Sequence, residues 1–291
     1  MEYFNKFIHN ESEIGNIKKI KKSFKYNKNL NAITPSNRKK SVDDIFAGEI
    51  LELKGKKPTL FIGICGGQAS GKKKISEYFH NSLENSETIC EMSFFNPDET
   101  KRKISKEDEY LIKDCDFYSK ERRLYLIDIC NPDSYDYDKF YETLKLLSEG
   151  VKVKIPYFDE KECKFVHEKD KTIDPSKTPL IIIDGYFIFR NEKIRDFLNL
   201  KLYKELEDDV RLSRLVLREA KYLNNNPEAY EMYFSIYEKF YKICYDEYIS
   251  TYKKVANILL PDYDFTEDNT VEDETFKFLL YNLKNLSKKN N

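Results

Sequence analysis

The stretch Thr59–Lys74, TLFIGICGGQASGKKK, constrains the fold more than any other part of the chain. Its first half, Leu60–Cys65, is a short apolar run rich in Ile, which predicts a buried strand. A glycine-rich turn follows at once, and the predicted helix Lys72–Leu83 begins directly after it. A strand, a tight turn and a helix in this order form an anion site, because backbone N–H groups and the helix N-terminus point at the anion.

The turn matches the first seven positions of the phosphate-binding loop pattern GxxxxGK[ST]. The predicted nucleotide-binding residues are those of the loop: Gly66, Gly67, Gln68, Ala69, Ser70, Gly71, Lys72 and Lys73. Lys72 is expected to reach the outer phosphates of the nucleotide. Lys73 departs from the pattern, because it stands where Ser or Thr supplies a hydroxyl to Mg²⁺. A lysine cannot ligate a cation, and its charge repels one.

Composition excludes several classes of protein. The chain has 50 Lys and Arg against 51 Asp and Glu, so its overall charge favours neither a nucleic acid nor an anionic membrane as partner. The six cysteines include no CxxC pair, and the N-terminus lacks an apolar secretion signal. We therefore expect reduced thiols and a cytoplasmic protein. No apolar run is long enough to span a bilayer, so we expect no membrane partner.

Residues 1–57 are predicted to be a basic, partly disordered extension, with 13 Lys and Arg against 7 Asp and Glu. Within it, Ser41–Leu53 has the start signals of a short helix, since Ser41 can cap it and two aspartates follow. An arm that binds RNA or a membrane surface is the alternative interpretation of the basic segment Lys18–Lys28.

Strands alternate with helices over residues 58–291, which predicts one α/β domain with a parallel sheet flanked by helices. The segment Pro179–Asp184, PLIIID, has the continuous apolar run of a strand buried on both faces. Asp184 ends this strand and is a candidate to organise Mg²⁺ through water, although no direct metal ligand is predicted. Residues 96–123 are charged and rich in turn signals, so we expect a mobile insertion there.

The other predicted elements follow from apolar periodicity and turn residues. The strands are Glu87–Ser93, Val151–Tyr157, Cys163–Ile173, Leu200–Tyr203 and Val255–Leu260, and the helices are Asp138–Ser148, Asp208–Lys221, Tyr230–Tyr252 and Thr270–Leu286. In the helix Asp208–Lys221, three arginines at spacings of three and four share one face. They are Arg211, Arg214 and Arg218.

Six ordered motifs extend from the loop to Pro261. They are GGQASGK (Gly66–Lys72), NPDSYD (Asn131–Asp136), IPYFD (Ile155–Asp159), IIIDGYFIF (Ile181–Phe189), RLSRLVLRE (Arg211–Glu219) and KKVANILLP (Lys253–Pro261). Together they resemble the uridine/cytidine kinases of the P-loop kinase superfamily. The resemblance implies a P-loop NTPase-type sheet with a small β-hairpin subdomain and a helical lid over residues 211–230. It also implies three catalytic residues, Asp184, Arg214 and Arg218, with both arginines neutralising charge on the transferred phosphoryl group.

The departures from this family fall on the acceptor pocket. Met92 replaces the aspartate that acts as base, Cys130 one that binds the ribose, Phe158 a tyrosine, and Cys163 a histidine that contacts the nucleobase. A thioether cannot take a proton. Glu91 and Asp133 are the acids proposed from the sequence to replace the base. Glu91 adjoins position 92 in the predicted strand, so its side chain is expected on the opposite face.

Two functions remain open from the sequence. In the first, the protein binds ATP or GTP and transfers the γ-phosphoryl group to a nucleoside 5′-hydroxyl, as in pyrimidine salvage, with a Mg²⁺ dependence weakened by Lys73. In the second, it is a catalytically inactive pseudokinase of the same family that serves as a nucleotide-binding scaffold or regulatory subunit. The expected partners are a nucleotide, a pyrimidine nucleoside in the first case, and further copies of itself or of family members in an oligomer.

Overall fold

The computed structural model describes residues 59–102, 104–260, 262 and 274–289. The predicted extension, residues 1–57, and its helix Ser41–Leu53 lie outside the described residues. Within the part that is described, no helix is both long and apolar enough to cross a membrane.

The strands are β1 (Leu60–Gly66), β2 (Ser86–Cys90), β3 (Val153–Ile155), β4 (Phe158–Asp159), β5 (Lys164–Phe165), β6 (Lys171–Ile173), β7 (Leu180–Gly185), β8 (Leu200–Lys204) and β9 (Ile258–Leu260). Five of them form a parallel sheet in the order β2-β7-β1-β8-β9. In its centre, Ile62 of β1 pairs with Ile182 of β7 and Leu200 of β8. Every residue of β1 and β7 is buried, as strands covered on both faces require. The predicted α/β fold is confirmed.

The helices are α1 (Lys72–Ser82), α2 (Lys120–Asp128), α3 (Tyr137–Ser148), α4 (Glu192–Arg195), α5 (Asp208–Leu223), α6 (Pro227–Ile236), α7 (Ile243–Glu247) and α8 (Glu274–Lys289). They cover both faces of the sheet. On one face, Phe79 of α1 stacks on Phe276 of α8 with ring centroids 5.0 Å apart. The other face carries the larger apolar cluster, which contains residues of α2, α3, α5 and α6.

Three local predictions differ from the structure. β2 ends at Cys90, and the chain turns into a 3₁₀ helix, Glu91–Phe94, because Phe94 leaves the strand path to stack on Phe140 at 4.3 Å. The predicted helix Tyr230–Tyr252 is interrupted by a π-helical turn, Tyr237–Lys242, between α6 and α7. The helix α2 begins inside the segment predicted as an insertion and went unrecognised, because its apolar residues show no clear helical period.

The predicted strand pair between residues 151 and 173 forms two separate antiparallel pairs. β3 pairs with β6, and β4 pairs with β5 across a tight turn. Asp159 fixes this turn, because its carboxylate accepts the backbone N–H groups of Lys161 (2.9 Å) and Glu162 (3.3 Å). The small hairpin β4–β5 therefore presents residues 160–163 from a defined position.

Candidate active site

The phosphate loop joins the end of β1 to the start of α1, and its backbone requires glycine at two positions. A Cβ on Gly66 would lie 2.7 Å from the Lys204 carbonyl oxygen and 2.8 Å from Ser70 Oγ. Gly71 has φ of 93°, in the left-handed region that glycine adopts without strain, and caps α1. The loop thus leads its N–H groups towards the helix N-terminus, the arrangement that binds phosphates.

Lys72 is folded back on this loop. Its ammonium donates to the Gly67 carbonyl (3.3 Å) and lies 3.6 Å from the centre of the Tyr186 ring. Only 7% of the residue is exposed, and burial lowers its pKa to about 8, although Asp184 partly opposes the shift. A buried ammonium that donates to a carbonyl and contacts a ring can exchange these weak contacts for an anion.

Lys73 and Asp184 interact electrostatically and line the same cavity. Burial raises the pKa of Asp184, and the charges of Lys72 and Lys73 oppose that shift. The Lys73 ammonium is 3.7 Å from a carboxylate oxygen of Glu160. Burial would lower the pKa of Lys73, but Glu160, Cys90 and Asp184 together raise it, so the ammonium stays charged. The Lys73 ammonium therefore supplies a positive charge of the protein itself near Asp184.

A cavity of about 340 Å³ opens beside these two residues. Its lining includes Lys73, Ser76 and Asp184, together with Met92, Phe158 and Glu160. Phe158 forms an aromatic wall, because its ring stacks on Tyr125 at 5.9 Å and meets Phe95 edge-on at 5.2 Å. The cavity is large enough for a small acceptor and lies next to the phosphate loop.

The two sequence-adjacent residues Glu91 and Met92 have different surroundings. Glu91 is buried, and one of its oxygens accepts the backbone N–H groups of Tyr186 (2.6 Å) and Phe187 (3.0 Å). Burial raises its pKa to about 7. Met92 lines the cavity, and its sulfur accepts the Tyr135 hydroxyl at 3.7 Å. Glu91 therefore braces the chain after Asp184 and does not reach an acceptor.

The other predicted pocket residues lie apart from one another. Cys130 is buried under the loop, where its sulfur accepts a hydrogen bond from Gln68 Nε2 at 3.6 Å. Cys163 lies beside Arg122, 3.6 Å from a guanidinium nitrogen. Asp133 is 3.4 Å from Arg190 and does not line the cavity. Of the five predicted pocket positions, Met92 and Phe158 line the cavity.

The arginines of α5 also separate. Arg211 packs on the loop, since a Cβ on Gly67 would lie 2.8 Å from its guanidinium, and it stacks 3.5 Å above the Tyr245 ring. Arg214 pairs with Asp262 at 3.1 Å. Arg218 lies 3.5 Å from Glu219, and its charge interacts with Tyr186 and Tyr125 beside the cavity. Arg214 and Arg218 thus have different partners, and their predicted role stays a prediction.

Sequence reasoning missed the contact that holds α5 in place. Arg122 of α2 binds Glu219 of α5 with two nitrogens, at 3.0 and 2.5 Å, and its third nitrogen donates to the Glu160 carbonyl at 2.5 Å. The rings of Tyr125 and Tyr222 lie 5.0 and 4.4 Å from the guanidinium. One arginine therefore joins α5, α2 and the hairpin. The sequence carries one local signal for this contact, the acidic residue Glu219 on a helix whose other residues are both apolar and charged.

The family model described as "Phosphoribulokinase / Uridine kinase family" matches residues 61–271. Uridine-cytidine kinase B of Dictyostelium discoideum is 28% identical over 70% of this chain and 75% of its own length. A uridine kinase of Borrelia duttonii is 29% identical over 69% of this chain and 85% of its own length.

A solved structure described as a fructose transport system kinase from Silicibacter sp. shares the fold, with a TM-score of 0.50 and 16% identity, over 74% of this chain and 97% of that one. The family match spans the sheet, the loop, the residues that line the cavity and the helix α5. The chain therefore belongs to the phosphoribulokinase/uridine kinase family.

Proposed function

We propose that this protein binds ATP or GTP at the loop Gly66–Lys73 and transfers the γ-phosphoryl group to a hydroxyl of an acceptor in the adjacent cavity. The observation that carries the proposal is the continuity of the two sites, because Lys73 and Asp184 belong to both. Family membership supports nucleotide-dependent phosphotransfer, and the uridine kinases among the relatives make a pyrimidine nucleoside 5′-hydroxyl the first acceptor to test.

Each charged residue has a role in this proposal. Lys72 leaves the Tyr186 ring to hold the outer phosphates, since a charge-assisted bond to phosphate is stronger than its present contacts. Arg218, whose charge interacts with the Tyr186 ring that Lys72 contacts, neutralises charge that develops on the transferred group, and Arg214 acts from the same helix after leaving Asp262. The phosphoryl group is thereby surrounded by side-chain cations.

Mg²⁺, which kinases of this family generally use with ATP, fits the side chains poorly. Within residues 59–102, 104–260, 262 and 274–289, no group of three His, Cys, Asp or Glu side chains is arranged to hold a metal ion. The charge of Lys73 acts on Asp184, the carboxylate assigned to organise the ion through water. We propose that Lys73 supplies part of the positive charge and that the Mg²⁺ dependence is weaker than in a loop ending in Ser or Thr.

Calorimetry with ATP and GTP, followed by transfer to uridine and cytidine, tests the proposal. Lys72→Ala is expected to weaken nucleotide binding about 10–100-fold, the effect of losing one charge-assisted bond. Lys74→Ala is the matched control, because Lys74 is exposed on the same helix. Lys73→Ser is expected to make binding and transfer more dependent on added Mg²⁺. A wild-type protein that binds neither nucleotide at millimolar concentration would contradict the proposal.

A second candidate function is nucleotide binding without transfer, as a scaffold or regulatory subunit. The observation in its favour is that Met92 faces the cavity where a carboxylate would serve as base. Tight nucleotide binding without transfer to any hydroxyl acceptor would favour this candidate. Lys73→Ser combined with Met92→Asp would then be expected to create measurable transfer, since general base catalysis contributes about 10²–10⁴-fold.

A further inference from the structure

Glu160 is a carboxylate of the cavity wall whose backbone and side chain are both held by neighbouring residues. It begins the turn of the hairpin β4–β5, which the Asp159 carboxylate fixes through the N–H groups of Lys161 and Glu162. On the opposite side, Arg122 donates to the Glu160 carbonyl at 2.5 Å. The backbone that carries this side chain is therefore fixed from both ends.

The Glu160 side chain is also positioned. Tyr125 donates its hydroxyl to one carboxylate oxygen at 3.0 Å, and the Lys73 ammonium lies 3.7 Å from the other. The side chain is 30% exposed and lines the cavity together with Met92 and Asp184. A partly exposed carboxylate with its rotamer held by two partners can accept a proton without first reorganising.

The other acids near the cavity are less suited to act on an acceptor. Glu91 is occupied by two backbone N–H groups away from the cavity. Asp184 is 5% exposed and lies between Lys72 and Lys73 on the phosphate side. Glu77 also lines the cavity but is exposed on α1, four residues beyond Lys73. Glu160 alone combines access to the cavity with fixed hydrogen-bond and charge partners among these four.

We propose that Glu160 is the general base that replaces the carboxylate missing at position 92. The inference rests on the proposed phosphotransfer. The acceptor O–H gives its proton to the Glu160 carboxylate as the acceptor oxygen bonds to the γ-phosphorus. The bond from the γ-phosphorus to the β–γ bridging oxygen breaks, and the nucleoside diphosphate leaves with that electron pair. The proton on Glu160 returns to solvent after the product leaves.

The test compares Glu160→Gln with the wild type, using ATP with uridine and cytidine as acceptors. We expect kcat to fall about 10²–10⁴-fold, the usual range for a lost base. ATP affinity from calorimetry should change much less, because the loop is untouched. Glu162→Gln is the matched control, since its side chain lies in the same turn and is 63% exposed. Melting temperatures verify that each variant is folded, and Glu160→Asp provides a second variant that keeps the charge.

A rescue variant separates a base from a mere counter-ion of Lys73. Met92→Asp in the Glu160→Gln background returns a carboxylate to the same cavity, so we expect it to recover at least tenfold in kcat. If Glu160 only balances the Lys73 charge, Glu160→Gln will change ATP affinity and leave kcat intact, which overturns the proposal. A wild type that binds ATP but transfers to neither acceptor overturns the base and the transferase function together. A Glu160→Gln variant that transfers to uridine or cytidine as fast as the wild type overturns the base alone.

Discussion

The phosphate side and the acceptor side of the site are built in different ways. On the phosphate side, consecutive residues of β1, the loop and α1 supply a site made mostly of backbone. On the acceptor side, the cavity wall and its supports come from segments far apart in the chain: Met92, Arg122, Tyr125, Phe158, Glu160 and Glu219. The first side needs correct local geometry, whereas the second needs pairs of side chains that meet only in the folded protein.

This difference predicts where substitutions act. An exposed side chain of the loop, such as Lys73 at 57% exposure, can be replaced with little harm to the fold. A buried ion pair on the acceptor side holds a whole helix in position. The Arg122–Glu219 pair is 7% and 0% exposed at its two ends, so it has little access to water. We therefore expect losses of stability on the acceptor side and losses of ligand affinity on the phosphate side.

The largest expected effect comes from Arg122→Ala. Removing the guanidinium leaves the Glu219 carboxylate buried with Tyr118 and Arg218 as its remaining partners. Breaking one end of such a pair costs about 3–5 kcal/mol, more than the pair itself contributes. Chemical denaturation measures this loss of unfolding free energy. Lys120→Ala on the same helix is the control, because Lys120 is 45% exposed, and we expect its effect to stay below about 0.5 kcal/mol.

The double variant Arg122→Met with Glu219→Gln sharpens this comparison. Removing both charges avoids a lone buried carboxylate, so the loss should be clearly smaller than that of Arg122→Ala. A double variant that loses as much as the sum of its single changes would show that the two side chains do not interact. It would also remove the distinction drawn between the two sides of the site.

The sequence predicted the two sides unequally. The strand β1, the turn and α1 were predicted because glycine spacing and apolar runs are local signals. A strand that ends at Asp184 was predicted for the same reason, one residue before the observed end of β7 at Gly185. The Arg122–Glu219 pair joins positions 97 residues apart, and no local sequence pattern predicts a contact over that separation. The sequence does not single out Glu160 as a base. An acidic residue in a hairpin turn resembles an ordinary surface charge until its contacts with Tyr125 and Lys73 are known.

Glu91 lies between the two sides and gives the next largest expected effect. Its pKa is raised from 4.5 to about 7 by burial, so the folded protein holds a proton that the unfolded chain has released. Stability therefore falls as the pH rises from about 4.5 to about 7, by an amount on the order of 3 kcal/mol. Glu91→Gln removes this dependence, because an amide oxygen still accepts both N–H groups without a charge.

Denaturation of both proteins between pH 5 and pH 8.5 checks the Glu91 prediction. We expect Glu91→Gln to be more stable than the wild type at pH 8 and the advantage to shrink towards pH 5. Glu142→Gln, at an exposed position on α3, should leave the wild-type pH profile unchanged. A stability advantage of Glu91→Gln that is the same at both ends of this range would disprove the raised pKa.

The smallest expected effect is the pH dependence of nucleotide affinity on the phosphate side. Burial lowers the pKa of Lys72 to about 8 in the free protein, and bound phosphates favour the charged form and raise it again. Lys72 is already charged below about pH 8, so its ionisation does not change the nucleotide affinity in that range. Above that pH, binding must first protonate the lysine, and affinity falls by up to about tenfold per pH unit.

Calorimetry with ATP from pH 7 to pH 9.5 should show this fall together with proton uptake. Lys74→Ala should retain it, and Lys72→Ala should bind weakly at every pH without it. An affinity that stays level in the wild type up to pH 9.5 would contradict the lowered pKa of Lys72.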